Sequence, residues 1–242
     1  MFPITIAEVV EKKSLTPVVR HVVLTLRDAP GFTFRPGQFI QCVLDPTPPN
    51  GLRGAGPKTL RQFSLASLPA ELPQIEFCVD ISPMGRGSRF IEGLRPGDRV
   101  TLRGPFGVFV LPNEATRPLE FVATGAGIAP IRSLIRSQLQ RGASTPVTLT
   151  FGNRTLDDIL YQEEWERLAA QYPHFTFHPA LSAGSDTWKG FHGRVTDVLE
   201  QRTDLSERSF YICGSPEMVD DTRKTLAGLG IPDTDVHFEK FT

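Results

Sequence analysis

Short stretches in which apolar and polar residues alternate dominate the first half of the chain. They are rich in Val, Ile, Thr and Phe, and Pro or Gly residues separate them, which is the pattern of β-strands joined by turns. Six such stretches occur: ITIAEVVEKK, VRHVVLTLR, QFIQCVLD, RQFSLAS, QIEFCVDI and DRVTLRG. Strands spaced so closely predict a small antiparallel barrel or sandwich, with one helix that begins near Ser88. A Pro- and Gly-rich segment at residues 45–59 predicts a mobile loop.

The second half has a different period, in which buried strands alternate with amphipathic helices. The predicted strands are PLEFVAT, PVTLTFGN, FTFHPALS, SFYICGS and VHFEKF, and the helices between them are GAGIAPIRSLIRSQLQRG, LDDILYQEEWERLAAQY, VTDVLEQR and PEMVDDTRKTLAGLG. This alternation is typical of a parallel sheet covered by helices on both faces. We therefore expect two domains: an antiparallel β-barrel at residues 1–112 and an α/β parallel-sheet nucleotide-binding domain at residues 113–242.

Composition excludes several classes of function. The formal net charge of the 242 residues is −1 and no long basic run occurs, which argues against nucleic acid as a partner. No apolar stretch approaches the roughly 20 residues that span a bilayer, and the N-terminus does not resemble a signal peptide, so we expect a cytoplasmic protein. Cys42, Cys78 and Cys213 have no CxxC spacing, so neither a zinc site nor an iron–sulfur cluster is indicated and we expect no bound metal.

Two turns in the second half combine small residues with the start of a helix. In TGAGIAP, Gly125 and Gly127 permit a tight turn, and the helix that follows presents free N–H groups that suit a phosphate. An ordinary turn between a strand and a helix would have the same pattern, and Ala129 stands where the dinucleotide fingerprint has a third glycine. In YICGSPEMV, Gly214 marks a similar junction, where Cys213 is either functional or simply a small buried residue.

The first half contains a second candidate phosphate site. In PMGRGSRF, Gly85 and Gly87 precede a predicted helix, although Ser88 has an alternative interpretation as an ordinary N-cap. Two such sites in two domains suggest two nucleotides. In RQFSLAS, a strand would direct Arg61 and Phe63 to the same face, a pattern that an edge strand would also have.

Four motifs, in order and across nearly the whole chain, resemble those of the ferredoxin–NADP⁺ reductase family, in particular its bacterial stand-alone and oxygenase reductase branches. They are Arg61-Gln62-Phe63-Ser64, with Phe63 in place of the family's tyrosine; Gly85-Arg86-Gly87-Ser88; Thr124-Gly125-Ala126-Gly127-Ile128-Ala129-Pro130; and Cys213-Gly214-Ser215-Pro216, followed by Met218.

The resemblance implies an FAD-binding barrel. Arg61 would neutralise an FAD phosphate, Phe63 would pack against the isoalloxazine ring, and Ser64 would form a hydrogen bond near flavin N5. The motif Gly85-Arg86-Gly87-Ser88 would bind the pyrophosphate. Backbone groups of three further residues would line the flavin: Cys78, Val79 and Asp80. FMN in place of FAD stays open.

The resemblance also implies a nicotinamide domain that binds NADPH or NADH. Thr124 would contact the opposite edge of the flavin ring, while Cys213 and Glu239 would lie near nicotinamide C4, so that Ser64, Cys213 and Glu239 form the candidate catalytic set. Phe238 or Phe241 would take the place of the family's C-terminal tyrosine, and Phe241 is the preferred candidate. Arg154 and Thr155, after the second strand of this half, would hold a 2′-phosphate, with Lys224 as a further candidate, which favours NADPH.

The chain has no CxxxxCxxC cluster motif, so the resemblance implies that electrons leave to a separate ferredoxin or flavodoxin-like acceptor. For an acidic acceptor we expect a basic rim near the flavin, with candidates Arg35, Arg53, Lys58, Arg86 and Arg89, although loops on any solvated surface carry such residues. Two other functions stay open: a direct flavin or quinone reductase, and a non-catalytic flavin-bearing electron-transfer component of a larger complex.

Overall fold

The computed structural model describes residues 4–44, 59–113, 115–142, 144–184 and 187–241. The chain forms two compact units, Met1–Val110 and Leu111–Thr242. The predicted loop at residues 45–59 lies, except for Thr59, outside the described residues.

The first unit is an antiparallel barrel, as predicted. Its strands have the sheet order β4-β3-β6-β1-β2-β5. The two end strands also meet, because Leu65 forms a β-bridge with Phe77 and the Ala66 N–H donates to the Glu76 carbonyl at 2.8 Å. Its elements are β1 (Ile4–Ser14), β2 (Val19–Arg27), β3 (Phe39–Leu44), β4 (Thr59–Ser64), β5 (Gln74–Asp80), α1 (Arg86–Gly93) and β6 (Arg99–Phe106).

Alternate residues of the six strands fill the interior of the barrel. Ala7, Leu24, Ile40 and Leu102 are among the side chains that are almost completely buried there. Helix α1 contributes Ile91 to the same core, which fixes the position of the helix against the barrel. Helix α1 is therefore held against the barrel by packing.

The second unit is a parallel sheet of six strands, in the order β10-β9-β8-β7-β11-β12, with helices between them. This arrangement confirms the predicted α/β class. The elements are β7 (Leu119–Thr124), α2 (Ile128–Gln140), β8 (Val147–Asn153), α3 (Gln162–Gln171), β9 (Phe175–Leu181), β10 (Phe191–His192), α4 (Val195–Glu200), β11 (Ser209–Gly214), α5 (Pro216–Gly228) and β12 (Val236–Lys240). The two-residue strand β10 was not predicted.

The prediction of one helix over residues 156–172 is wrong for its first six residues, which are not part of α3. A 3-10 turn at Leu156–Asp158 comes first, and α3 begins only at Gln162. The two are separated because Tyr161 has a left-handed backbone conformation, with φ of 59°. The Trp165 indole N–H donates to the Leu160 carbonyl at 2.9 Å, which satisfies a polar group at this break.

A buried ion network lies near the amino end of the parallel sheet. The Glu120 carboxylate is fully buried and accepts from Arg202 Nη1 at 2.7 Å and from the Thr150 hydroxyl at 2.8 Å. Arg208 Nη1 lies 3.5 Å from the same carboxylate. Burial raises the pKa of Glu120, and the two guanidinium groups and the Thr150 hydroxyl oppose that shift. Because its charge is paired and its oxygens are hydrogen-bonded, we interpret Glu120 as a structural residue.

Within the described ranges, no helix combines the length and the apolar character that crossing a bilayer requires. The part of the chain that the structure describes also contains no group of three or more His, Cys, Asp or Glu residues placed to hold a metal ion. The three cysteines are free and buried.

Candidate functional site

The N-terminus of α1 in the barrel unit has no side-chain cap. Gly85 is the N-cap residue and provides no side-chain hydrogen bond to the first N–H groups of the eight-residue helix. Those donors and the positive end of the helix dipole are therefore available to an anion. Ser88 is the third residue of the helix and is buried, so its alternative interpretation as the N-cap is wrong.

Two arginines accompany this helix end. A β-carbon at Gly87 would lie 3.4 Å from Arg61 Cγ, so the exposed Arg61 side chain runs directly beside the first turn of α1. Arg86, also exposed, donates from Nη1 to the Thr59 hydroxyl at 2.9 Å. Free N–H groups together with two guanidinium groups fit a pyrophosphate such as that of FAD.

The other members of the Arg61-Gln62-Phe63-Ser64 motif have different environments. Phe63 is only 8% exposed and stacks on Phe77, with the ring centroids 5.6 Å apart. Ser64 is buried at the end of β4, whereas Gln62 is exposed. Phe63 is thus part of the barrel core as well as of the motif, and its contact with an isoalloxazine ring stays a prediction.

The three residues expected to line the flavin through their backbone lie at the end of β5. Cys78 and Val79 are buried, and Asp80 is exposed. Cys78 pairs with His21 in the antiparallel ladder with β2, and the Asp80 carboxylate accepts from the Ser82 N–H at 2.7 Å. Their contact with a flavin also stays a prediction.

In the second unit, the turn after β7 contains two glycines with different roles. Gly125 has a positive φ of 52° and is exposed, as expected for a tight turn. Gly127 has an ordinary helical conformation, but a β-carbon there would lie 2.6 Å from the Cys213 carbonyl carbon and 2.7 Å from Gly214 Cα. Gly127 therefore permits close packing of two backbone segments, a contact that the sequence did not predict.

The remaining residues of that motif form the start of α2. Ile128, Ala129 and Pro130 are all buried, and Ala129 takes the place of the third fingerprint glycine without any exposed surface. These residues hold the turn in place, and Thr124 and Gly125, at the edge of the sheet, are the motif residues that are not buried.

The turn after β11 meets the first turn at the carboxyl edge of the sheet. A β-carbon at Gly214 would overlap both Met218 Cε and the Thr124 hydroxyl oxygen. The Ser215 side chain caps α5 by accepting from the Met218 N–H at 3.3 Å, and Pro216 is the first helical residue. Residues of two sequence motifs that lie about 90 positions apart in the chain are thus brought into contact, at the end of the sheet where α/β proteins bind ligands.

Cys213 lies in this junction with its side chain completely buried. It is paired with Ala123 on one side and with Glu239 on the other. Burial, and secondarily the Glu239 carboxylate, raise the pKa of the Cys213 thiol well above its usual range. The group is therefore a neutral thiol at physiological pH.

The end of the chain lies beside the same turn. The Phe241 N–H donates to the Gly214 carbonyl at 2.8 Å, whereas the Phe238 ring packs under the Arg223 guanidinium at 4.2 Å. Phe241 is therefore the aromatic residue tied to the Cys213-Gly214 turn.

Arg154 and Thr155 follow β8 at the same edge of the sheet. Arg154 is exposed, and its backbone carbonyl accepts from the Ala183 N–H at 2.8 Å. The Thr155 hydroxyl donates to Asp158 at 2.8 Å, so its proton is already engaged. The sequence interpretation missed Asp158, although the spacing Thr155-x-x-Asp158 is that of a capping box. Arg154 is therefore the better candidate than Thr155 for binding a 2′-phosphate.

Of the predicted basic rim, Arg35, Arg86 and Arg89 are exposed. Arg53 and Lys58 lie outside the described residues.

Comparison with known proteins assigns a ligand class to each unit. The model of the oxidoreductase FAD-binding domain matches residues 6–111, and that of the oxidoreductase NAD-binding domain matches residues 121–224. The fold and the two sites thus define an oxidoreductase that uses FAD together with NAD(P)H.

Relatives identify the family. The chain is 33% identical to ferredoxin–NADP reductase B of Sorangium cellulosum over 97% of its own length and 96% of that protein. It is 38% identical to one component of the Na⁺-translocating NADH-quinone reductase of Klebsiella pneumoniae over 76% of its length, but it spans only 49% of that component. The chain belongs to the ferredoxin–NADP⁺ reductase family.

A solved structure supports the same assignment. The Amycolatopsis cytochrome P450 reductase GcoB superimposes with a TM-score of 0.86 and 29% sequence identity, covering all of this chain and 71% of the other.

Proposed function

We propose that this protein passes electrons from NADPH, through FAD, to a separate ferredoxin-type acceptor. The observation that carries the proposal is that each unit brings the residues of its two sequence motifs together. In the barrel unit, Arg61 lies beside the uncapped start of α1. In the α/β unit, Gly127 packs on the Cys213-Gly214 turn.

In the barrel unit, Arg61, Arg86 and the N–H groups of α1 would hold the FAD pyrophosphate, since they provide both charge and directed donors. Bound FAD supplies the conversion between a two-electron hydride donor and one-electron acceptors, which is cofactor chemistry. The contribution of this chain is to hold the reacting groups in position. Ser64, buried at the end of the motif strand, would donate a hydrogen bond to the flavin edge.

In the α/β unit, the uncharged Cys213 thiol would lie against the nicotinamide ring. A neutral thiol suits this position because it does not introduce a thiolate that would need its own counter-charge in a water-poor junction. Glu239, paired with Cys213 across β11 and β12, would provide the carboxylate nearest to that ring. Thr124 and Phe241, which lie beside the same turn, would complete the coenzyme site of this unit.

The preference for NADPH rests on Arg154, whose exposed guanidinium follows β8. Arginine binds a phosphate through two parallel hydrogen bonds, whereas a ribose 2′-hydroxyl gains little from it. The activity for which the Sorangium relative is named, ferredoxin–NADP reductase, supports the same choice. That relative also supports ferredoxin as the acceptor. A cytoplasmic location is part of the proposal.

An anaerobic titration of the purified protein tests the proposal. We expect a yellow protein whose flavin absorbance is bleached by a near-stoichiometric amount of NADPH, with a higher apparent Kd for NADH. Arg154→Ala should weaken NADPH binding on the order of tenfold and leave NADH binding unchanged. Addition of an oxidised [2Fe–2S] ferredoxin should restore the flavin absorbance. A flavin that neither coenzyme bleaches would contradict the proposed function.

Direct reduction of a quinone is the second candidate. It is favoured by the similarity to a component of a Na⁺-translocating NADH-quinone reductase, of which this chain spans about half. Steady-state turnover separates the two candidates. A larger kcat/KM with a soluble quinone than with ferredoxin would replace our first proposal by this one.

A further inference from the structure

Helix α2 buries an arginine shortly after the turn that begins the coenzyme site. Arg132 is the fifth residue of this helix, which follows the turn Gly125–Gly127, and only 8% of the residue is exposed. Burying a guanidinium group is unfavourable unless its charge is paired and its N–H groups have partners. The contacts of Arg132 therefore show which part of the chain requires its charge.

Arg132 contacts the start of α3 in two ways. Its Nε donates to the Glu164 carboxylate at 2.7 Å, and its guanidinium carbon lies 4.7 Å from the centre of the Tyr161 ring. Arg136, one turn further along α2, lies with its Nε 3.3 Å from the other oxygen of Glu164. Two arginines thus share the carboxylate, whereas the ring of Tyr161 lies against Arg132.

Tyr161 is a residue whose conformation has to be held in place. Its backbone φ of 59° is rare for a bulky side chain and is kept only where the surrounding structure enforces it. On the backbone side, its carbonyl accepts from the N–H groups of Glu164 and Trp165 at 3.0 and 3.1 Å. On the side-chain side, the Arg132 guanidinium covers the ring in a cation–π contact. Arg132 therefore helps to fix the residue at which α3 begins.

The segment that ends at Tyr161 is the one that carries Arg154. It covers residues 154–161 between β8 and α3. The Thr155 and Asp158 capping box closes its first part into a turn, and the side chains of Ile159 and Leu160 are buried. Because α2 begins at the glycine turn, the contact between Arg132 and Tyr161 ties the end of this segment to the helix that starts at the candidate phosphate turn.

We propose that Arg132 is a positioning residue for the 2′-phosphate end of NADPH. It acts through Tyr161, whose position sets the segment 154–161 and with it Arg154. The inference rests on the proposed function, which assigns the 2′-phosphate to Arg154. A guanidinium group binds a phosphate best when two of its N–H groups face two oxygens, so a small displacement of the segment weakens binding. Since Arg132 is itself buried and paired, its effect on the coenzyme is indirect.

The alternative is an ion pair that only joins α2 to α3. Such a pair would stabilise the second unit without affecting the coenzyme. Arg136 would then serve as well as Arg132, because both lie within ion-pair distance of Glu164. The ring contact with Tyr161 distinguishes the two arginines. The same substitution at both positions therefore tells a positioning role from a purely structural one.

Inhibition of the intact flavoprotein by adenosine 2′,5′-bisphosphate tests the inference, because this probe carries the 2′-phosphate and lacks the nicotinamide. We would measure its Ki against NADPH, together with kcat, using ferricyanide as the electron acceptor. Arg132→Met keeps an apolar side chain without the charge. It should raise the Ki and the KM for NADPH on the order of fivefold and leave kcat and flavin content unchanged. Arg136→Met is the matched control and should leave the Ki unchanged, although it also removes an ion pair with Glu164.

Two substitutions of Tyr161 test the ring contact separately and keep the inference testable if Arg132→Met does not fold. Tyr161→Asn removes the ring but places a residue that tolerates a positive φ, so the backbone can keep its conformation. This variant should raise the Ki as Arg132→Met does. Tyr161→Phe keeps the ring face and should restore the wild-type Ki.

The outcomes separate this inference from the proposed function. An unchanged Ki in Arg132→Met and Tyr161→Asn would show that Ile159 and Leu160 suffice to hold the segment, and it would overturn the positioning role. An equal rise in Arg132→Met and Arg136→Met would assign the pair to helix packing alone, with the same consequence. In both cases bleaching of the wild-type flavin by NADPH would still support the proposed function. A wild-type flavin that NADPH does not bleach would overturn both.

Discussion

Gly127 and Cys213 lie so close together that a β-carbon on Gly127 would be 2.6 Å from the Cys213 carbonyl carbon. The contact joins the turn after β7 to the turn after β11, and it involves backbone on both sides. Neither segment can shift as a flexible side chain would. The relative position of Thr124 and Cys213, two residues of the proposed nicotinamide site, is set by this contact.

We therefore expect Gly127→Ala to impair the use of the coenzyme without changing the binding of flavin. The added methyl group should destabilise the second unit by about 1–3 kcal/mol and slow flavin bleaching by NADPH, while flavin content stays the same. Gly228→Ala is the control, because Gly228 lies in α5 with open space around its missing β-carbon. That control should be neutral or slightly stabilising. Urea unfolding and stopped-flow bleaching are the measurements, and equal behaviour of the two variants would contradict the packing argument.

Arg61→Ala should purify with little flavin. The substitution removes the charge beside the start of α1, and a lost charge-assisted hydrogen bond of about 1.5–3 kcal/mol corresponds to roughly 10- to 100-fold weaker binding. The ratio of absorbance at the flavin band to that of the protein gives the occupancy directly. Arg89→Ala is the control. Arg89 is also exposed on α1, three residues after Arg86, and this variant should keep its flavin. Full occupancy in Arg61→Ala would remove Arg61 from the site.

Because the Cys213 thiol is buried, we expect the free energy of unfolding to decrease at alkaline pH. Its pKa in the folded chain lies well above the ordinary value of 9.0, so the unfolded chain loses the thiol proton first. The protonated thiol's contribution to the free energy of unfolding is fully present below pH 9. It is lost as the pH rises above 9, by up to about 1.4 kcal/mol for each pH unit. Chemical unfolding of wild type and Cys213→Ala between pH 8 and pH 10 measures it. The difference in unfolding free energy between the two should shrink as the pH rises, and a constant difference would mean that the thiol is not protected.

The sequence predicted the class of both units because strand and helix periods are local properties. The strands of the barrel and the alternation in the second half follow from residue spacing alone. It could not predict the break before α3, because Tyr161 gives no local signal for a positive φ. It also could not predict that Gly127 packs against Cys213, since Cys213 is distant in the chain and comes close only when β7 and β11 pair.

Phe63 illustrates the same limit on the barrel side. Its place in the motif suggests a contact with the flavin, but its stacking partner in the structure is Phe77 on β5. That neighbour depends on closure of the barrel, where Leu65 bridges to Phe77. The motif indicated which strand holds the cofactor, whereas packing decides which of its side chains remain accessible.

Glu120 provides a test of stability that is separate from the cofactor sites. Its carboxylate is paired with Arg202 and hydrogen-bonded to Thr150 within the sheet, so Glu120→Ala leaves the half-buried Arg202 guanidinium with Asp204 as its remaining ion-pair partner. We expect a loss of about 3–5 kcal/mol in the free energy of unfolding. Glu200→Gln, at an exposed glutamate on α4, is the control and should stay within about 0.5 kcal/mol of wild type. Because Glu120 lies near the amino end of β7 and the motif residues lie at its carboxyl end, the protein that remains folded should be bleached by NADPH at the wild-type rate. If the fully folded Glu120→Ala variant were bleached by NADPH more slowly than wild type, the ion network around Glu120 would also position the coenzyme site.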